Sequence, residues 1–125
     1  MRVALATLAV GLSVPLAGGW SATISGAQSS QFNGVWKLQF APNGSYVISK
    51  AGQSLVLGKA TFKGATVTFR DTSGPASCIG LQAIGSYRWT LSGSKLLLKP
   101  MREPCAGRRF VLARTFGRIK VRPPA

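Results

Sequence analysis

The sequence predicts an all-β domain, a small antiparallel up-and-down β-barrel of about eight strands, preceded by an N-terminal signal-peptide helix. Apolar residues recur at every second position beyond residue 32, and Gly, Pro and Asn interrupt them at short intervals. No segment after the leader keeps a helical period. Consecutive hairpins predict a meander, and a meander closes into a barrel because closure removes its exposed edges.

Residues 1–21 predict a secretory signal peptide. Arg2 precedes residues 3–17, which are uncharged and rich in Ala, Leu and Val. A short basic region before an apolar one is typical of such leaders. No cysteine follows the apolar stretch, so we expect no lipid anchor. We expect an exported protein, periplasmic or extracellular.

The cleavage site stays open at this point. Signal peptidase prefers small residues at the positions three and one residues before the cleaved bond. Three pairs satisfy this pattern: Ala17 with Gly19, Gly19 with Ser21, and Ser25 with Ala27. The second pair is preferred. An uncleaved membrane anchor is the alternative, because residues 3–20 approach the length that spans a bilayer, but Pro15 and nearby glycines favour cleavage.

The rest of the chain has the length of one domain. Residues 22–31 carry no charge and are rich in Ser, Gly and Gln, which predicts a flexible tether. Residues 32–122 form the predicted barrel, and residues 123–125 a frayed C-terminus.

Alternating apolar positions and turn residues define each predicted strand in order. The eight segments are residues 34–40, 45–50, 55–63, 65–70, 83–91, 94–99, 108–114 and 118–122. Turns at residues 42–44, Gly64 and residues 92–93 join consecutive strands. The large aromatic residues at inward positions are Trp36, Phe40, Tyr46, Phe62, Phe69, Tyr87 and Trp89.

Cys78 and Cys105 are the only cysteines. Thiols of exported proteins tend to pair, and two cysteines allow one intramolecular connectivity. The sequence therefore predicts a disulfide that ties the loop before strand 83–91 to the loop after strand 94–99. Two unpaired thiols are the alternative.

Several motifs resemble the lipocalin, or calycin, superfamily and its small secreted bacterial members. Gly34-Val35-Trp36 looks like the Gly-x-Trp opening of lipocalins. The other motifs are Gly85-x-Tyr87-x-Trp89, Leu96-x-Leu98 and Glu103-Pro104-Cys105-x-x-Arg108. The resemblance covers about residues 32–118. The chain is shorter than full-length lipocalins and has no Thr-Asp-Tyr segment in its middle.

The resemblance implies a barrel floor closed by a late basic residue over the first-strand tryptophan. By position, Arg114 or Arg118 would cover Trp36, which follows Gly34, through a cation-π contact. A barrel of this size either is filled by its own side chains or holds one small ligand. We expect a small apolar or anionic ligand among the inward aromatic residues named above, bound by a monomer.

Catalytic chemistry is nearly absent from the composition. The chain has no His, and Asp71 and Glu103 are its only acids, so no Ser-His-Asp or Cys-His set can be assembled. We expect both carboxylates to pair with nearby arginines rather than to act as acid and base. A disulfide would occupy both thiols, so we expect no metal, cofactor or enzymatic activity.

The net charge is the remaining feature of the sequence that bears on function. The chain carries 16 Lys and Arg against 2 acids, a net charge of +14. The candidate basic surface consists of Arg88, Arg108, Arg109, Lys120 and Arg122. Such a field attracts polyanions. A filled barrel that binds an anionic envelope polymer, an acidic protein or nucleic acid without a specific target is thus the alternative function, and simple solubility is the other explanation of these charges.

Overall fold

Eight strands form a closed antiparallel barrel in the computed structural model, which describes residues 14–120. The strands are β1 (Gly18–Ile24), β2 (Gly34–Phe40), β3 (Ser45–Lys50), β4 (Gln53–Lys63), β5 (Thr66–Ser73), β6 (Ile84–Ser92), β7 (Lys95–Arg102) and β8 (Thr115–Arg118). They pair in sequence order, and β8 pairs with β1 to close the barrel. The predicted eight-strand up-and-down barrel is confirmed.

Three short helices lie in the connections. Two are single 3-10 turns, Ser30–Phe32 and Gly80–Gln82, and the third is α1 (Ala106–Leu112). The connection carrying α1 lies at the same barrel end as the loops of residues 25–33 and 74–83, and we call this the helix end. The opposite end, called the hairpin end, carries the tight turns after β2, β4 and β6. No helix within residues 14–120 is long and apolar enough to cross a bilayer.

Aromatic side chains fill the hairpin-end half of the barrel. Phe40 is surrounded by Tyr46, Phe62 and Phe69, with ring centroids 5.5–6.4 Å apart. Tyr46 and Phe69 meet edge to face at 5.1 Å, and Tyr87 meets Phe69 in the same way at 5.5 Å. Edge-to-face pairs are favourable ring arrangements, so this half is a packed core.

Strand β1 begins at Gly18, before residue 32, the predicted start of the barrel. The tether predicted at residues 22–31 is wrong for residues 22–24, which pair with β2. A cut after Ser21 would remove Trp20, whose side chain is fully buried. The alternating Trp20 and Ile24 point inward because they follow the strand period. The apolar residues that precede them in the sequence hide this pattern. The part of the predicted signal peptide at residues 1–13 lies outside the described residues.

Residues 108–114, predicted as a strand, mostly belong to helix α1. Arg108, Val111 and Leu112 are its buried residues, and this i, i+3, i+4 spacing places them on one helical face. Consequently β8 spans Thr115–Arg118 instead of residues 118–122. The predicted frayed C-terminus, residues 123–125, lies outside the described residues.

Gly-x-Trp occurs twice, at the start of β1 and at the start of β2. Gly18 and Gly34 have φ angles of 117° and 129°, which glycine adopts without the cost paid by other residues. In each motif the indole N–H donates to the carbonyl four residues earlier, at 3.0 Å for Trp20 and 2.9 Å for Trp36. Because β1 and β2 are antiparallel, the two motifs close opposite ends of the barrel.

A cation covers each of these tryptophans. The Arg118 guanidinium lies 4.1 Å from the Trp20 ring centroid, and Lys50 Nζ lies 5.4 Å from that of Trp36. The expectation that Arg118 covers Trp36 is therefore corrected. Since β8 pairs with β1, with Arg118 opposite Trp20, the late arginine reaches the hairpin end only.

The Cys78–Cys105 disulfide is present, with 6.2 Å between the Cα atoms, and the predicted pairing is confirmed. It joins the loop between β5 and β6 to the segment that leads into α1. The bond therefore fixes α1 across the helix end.

Loss of the disulfide should lower the free energy of unfolding by about 3 kcal/mol, because the 27-residue separation closes a sizeable loop in the unfolded chain. Urea unfolding of Cys78→Ser/Cys105→Ser beside the oxidised wild type measures this. An unchanged midpoint would contradict the stapling role.

Replacing Arg118 with Met should lower the free energy of unfolding by about 1 kcal/mol through loss of the cation-π contact. Arg109→Met is the matched control, because Arg109 is exposed and its side chain has no ion pair or cation-π contact within residues 14–120. Arg114, the other predicted candidate, lies 5.4 Å from the ring of Phe110 and donates to the carbonyls of Val111 and Phe110, so it does not cover Trp36. Urea unfolding of both variants gives the comparison, and equal losses would refute the assignment.

Candidate functional site: a cavity at the helix end

A cavity of about 480 Å³ lies at the helix end, between α1 and strands β2 to β5. Its walls are mainly apolar, and charged groups appear at two places only among the lining residues. The lining residues are Gln31, Phe32, Trp36, Ile48, Lys50, Ala51, Gln53, Leu55, Val56, Asp71, Ala76, Cys105, Gly107, Arg108 and Val111. Asp71 and Arg108 form the inner polar part of the lining, where both side chains are buried. Lys50, at the last position of β3, forms the outer part.

Arg108 of helix α1 binds both acidic side chains of the protein. Its Nε and Nη2 donate to the two carboxylate oxygens of Glu103 at 2.6 and 2.7 Å. Its Nη1 lies 3.1 Å from Asp71 Oδ1. Nη1 and Nη2 also donate to the carbonyls of Ala83 and Gln82, at 2.8 and 2.9 Å. A guanidinium has five N–H donors, so no donor of Arg108 is left for a ligand.

Two tyrosines complete this buried network. Tyr46 donates to Asp71 and Tyr87 to Glu103, each at 2.6 Å. Burial raises the pKa of Tyr46, and its hydrogen bond to Asp71 raises it further. Burial and the hydrogen bond to Glu103 raise the pKa of Tyr87 in the same way. Both phenols therefore stay protonated donors.

The electrostatics of Arg108 follow from the same contacts. Burial favours the neutral form of Arg108, but the hydrogen bonds and charges of Glu103 and Asp71 outweigh it and raise the pKa. Glu103 fits only because β6 has a glycine at the inward position 85, where any Cβ would overlap the Glu103 carboxylate. The carboxylates and Arg108 thus form a satisfied structural network, with the ion pairs predicted for both acids.

Lys50 stands at the outer part of the cavity. Its Nζ donates to the carbonyl oxygen of Gln31 and, at 3.1 Å, to that of Asn33. The ammonium has three N–H donors, so one remains. Lys50 has no salt bridge within the described residues, and both acids are bound to Arg108. It is therefore the charged group of this lining with a free donor.

The structure places the seven predicted ligand-binding aromatics in two groups. Trp36 lines the cavity. Phe40, Tyr46, Phe62, Phe69 and Tyr87 pack on one another in the core and are not among the lining residues. Trp89 packs on the core from β6, and its buried indole nitrogen has no hydrogen-bond partner within residues 14–120.

The predicted basic surface needs one correction. Arg88, Arg109 and Lys120 are exposed, but Arg108 is buried in the carboxylate network. Arg108 lies there because it occupies the inward face of helix α1. In the predicted strand its side chain would have pointed outward. Arg122 lies outside the described residues.

Lys50 and the 25–33 loop were not predicted to form part of a site. The sequence contains only a weak indication for Lys50. It follows the inward Ile48 by two positions, so the strand period places both side chains on the inner face of the barrel. Within residues 14–120, no three side chains of His, Cys, Asp or Glu cluster as a metal site requires.

Comparison of the chain with protein-family models, with curated proteins and with solved structures found no match. The closed eight-strand meander is consistent with a lipocalin-like fold.

Stability should fall as pH rises above about 10, the ordinary pKa of tyrosine. Because the folded-state pKa values of Tyr46 and Tyr87 are raised, the unfolded chain loses these protons first, and each tyrosine weakens folding by up to about 1.4 kcal/mol per pH unit. Below pH 10 their contribution is fully present.

Tyrosinate absorbance provides the measurement, since the chain has only 2 tyrosines. It should appear together with loss of the folded far-ultraviolet circular dichroism signal. Tyrosinate that forms near pH 10 in the folded protein would contradict the buried network. A Tyr46→Phe/Tyr87→Phe variant should show a flatter dependence of stability on pH.

Proposed function

We propose that the protein is an exported, non-catalytic lipocalin-like binding protein that holds one small amphiphile in the helix-end cavity. The ligand's apolar part lies inside, and its anionic group faces Lys50. The observation that carries the proposal is an apolar cavity of about 480 Å³ whose free charged donor is a lysine.

The size and walls of the cavity support a small ligand. Ligand pockets commonly have volumes of roughly 300–1,000 Å³ and mostly apolar walls with a few polar groups. Ile48, Val56 and Val111 supply apolar wall, and Trp36 adds an aromatic surface. The barrel is filled at its hairpin end, so the space available to the ligand is confined to the helix-end half.

The hydrogen-bond donors that remain available in the cavity determine the orientation of the ligand. Four N–H groups of Arg108 donate to protein oxygens, Nη1 is also ion-paired with Asp71 at 3.1 Å, and both Asp71 oxygens accept hydrogen bonds. An anionic group placed there would meet saturated donors beside a carboxylate. Lys50 offers a positive charge and one free N–H, so the anionic group belongs at Lys50.

Export and lipocalin kinship complete the proposal. The disulfide favours an oxidising compartment, and the leader composition favours secretion. The Gly-x-Trp motif with a late arginine over its tryptophan supports a lipocalin-like origin, with Gly18, Trp20 and Arg118 as its residues.

Tryptophan fluorescence titration with dodecanoate, dodecanol and dodecyltrimethylammonium tests this. Dodecanoate should bind most tightly and the cation most weakly. Lys50→Met should weaken dodecanoate binding about tenfold or more, the value of a charge-assisted hydrogen bond, and leave dodecanol nearly unchanged.

Two further variants separate the cavity from general effects. Lys63→Met is the matched lysine control at the hairpin end and should leave dodecanoate binding unchanged. Ala76→Trp, at an exposed position of the lining, should obstruct all three compounds while leaving the fold intact. Failure of all three compounds to bind the wild type would overturn the proposal.

A further inference from the structure

The outer surface of β4 to β7 is rich in basic side chains, and six of them form what we call the β4–β7 basic face. These are Lys59, Lys63, Arg70, Arg88, Lys99 and Arg102, all exposed. The pairing register places Lys63, Thr66, Arg88 and Lys99 in one cross-strand row. Three inter-strand spacings make this row about 15 Å wide, a continuous positive surface.

Like charges oppose each other directly on this face. Lys59 pairs with Arg70 and Arg88 with Lys99 in the strand register. Directly opposed like charges weaken a sheet. No acidic side chain relieves them, because both acids of the chain are bound to Arg108. A bound anionic surface would remove this repulsion.

Exposed aliphatic side chains border the basic face at the helix end. Ile84 is paired with Arg70 and is 48% exposed. Met101 follows Lys99 by two positions on the same side of β7 and is 56% exposed. Ile79 and Leu81 lie in the loop that connects β5 to β6 and are 78% and 98% exposed. Cys78 anchors this loop through the disulfide.

We infer that the β4–β7 basic face and the Ile79–Leu81 loop dock the protein onto an anionic lipid bilayer. Lipid phosphates would neutralise the opposed cations, and Ile79 and Leu81 would enter the boundary between headgroups and acyl chains. Basic residues contribute an electrostatic attraction to anionic membranes, which salt weakens. Inserted apolar side chains contribute a hydrophobic part of the binding free energy that persists at high salt.

A bilayer explains both parts of this surface. A nucleic acid or a phosphate polymer would use the cations but leave the aliphatic border in water. Stacking with bases is not available on this face either, because Phe69 and Tyr87 point into the barrel. Docking in this way would also bring the helix end, and with it the cavity, close to the membrane.

Co-sedimentation with vesicles of phosphatidylcholine, with and without phosphatidylglycerol, tests the inference. The full chain should bind the anionic vesicles, and binding should weaken as salt rises without vanishing. Arg88→Glu, which reverses the central charge, should weaken binding at least about tenfold. Leu81→Ser should weaken the binding that persists at high salt about tenfold.

Each variant has a matched control. Lys37→Glu makes the same change in net charge on β2, which lies four strands from β6 and so on the opposite side of the eight-strand barrel. It should alter binding much less than Arg88→Glu. Leu91→Ser removes an exposed leucine at the hairpin end and should have no effect. Circular dichroism verifies folding of every variant.

Three outcomes would overturn the inference. They are equal losses in Lys37→Glu and Arg88→Glu, unchanged binding in Leu81→Ser, and affinity for polyphosphate as high as that for anionic vesicles. Lys50→Met separates this inference from ligand binding, because it should weaken dodecanoate binding and, since Lys50 lies on β3 outside the β4–β7 basic face, leave vesicle binding nearly unchanged.

Discussion

The ion pairs of Arg108 are the interaction on which the rest of the structure depends. One guanidinium holds Asp71 of β5 and Glu103 of the segment before α1, so it connects the barrel wall to the helix that crosses its end. Removing one partner of a buried pair typically costs 3–5 kcal/mol, because the other charge stays buried and uncompensated. The network has two negative charges and one positive one, and the hydroxyls of Tyr46 and Tyr87 stabilise the excess.

This network also divides the barrel into two halves. On its hairpin side the same tyrosines join the aromatic core around Phe69, where the rings pack on one another. On its helix side α1 stands away from β3 and β4, and the cavity lies between them. The barrel is therefore filled by side chains at its hairpin end and holds a cavity at its helix end.

Strand periodicity made the barrel predictable from sequence, because alternation and turn residues are local properties. β1 was missed because its alternating Trp20 and Ile24 follow the apolar residues 3–17 without a break in composition. Helix α1 was missed because a seven-residue amphipathic segment also fits a strand pattern, and only the tertiary partners of Arg108 distinguish the two. The cavity was beyond prediction for a related reason, since its walls come from a loop, a helix and four strands whose spacing is set by long-range pairs.

The burial of both acids determines the character of the surface. With Asp71 and Glu103 bound to Arg108 inside, the other 13 basic side chains within residues 14–120 have no acidic partner. In water this arrangement favours solubility but destabilises the compact state through self-repulsion, and the disulfide and the Arg108 network offset that cost. Two Gly-x-Trp units, each covered by a cation, further secure both ends of the barrel. A fold that stabilises its interior so strongly can keep opposed cations on β4 to β7, where the proposed anionic bilayer would supply the missing counter-charge.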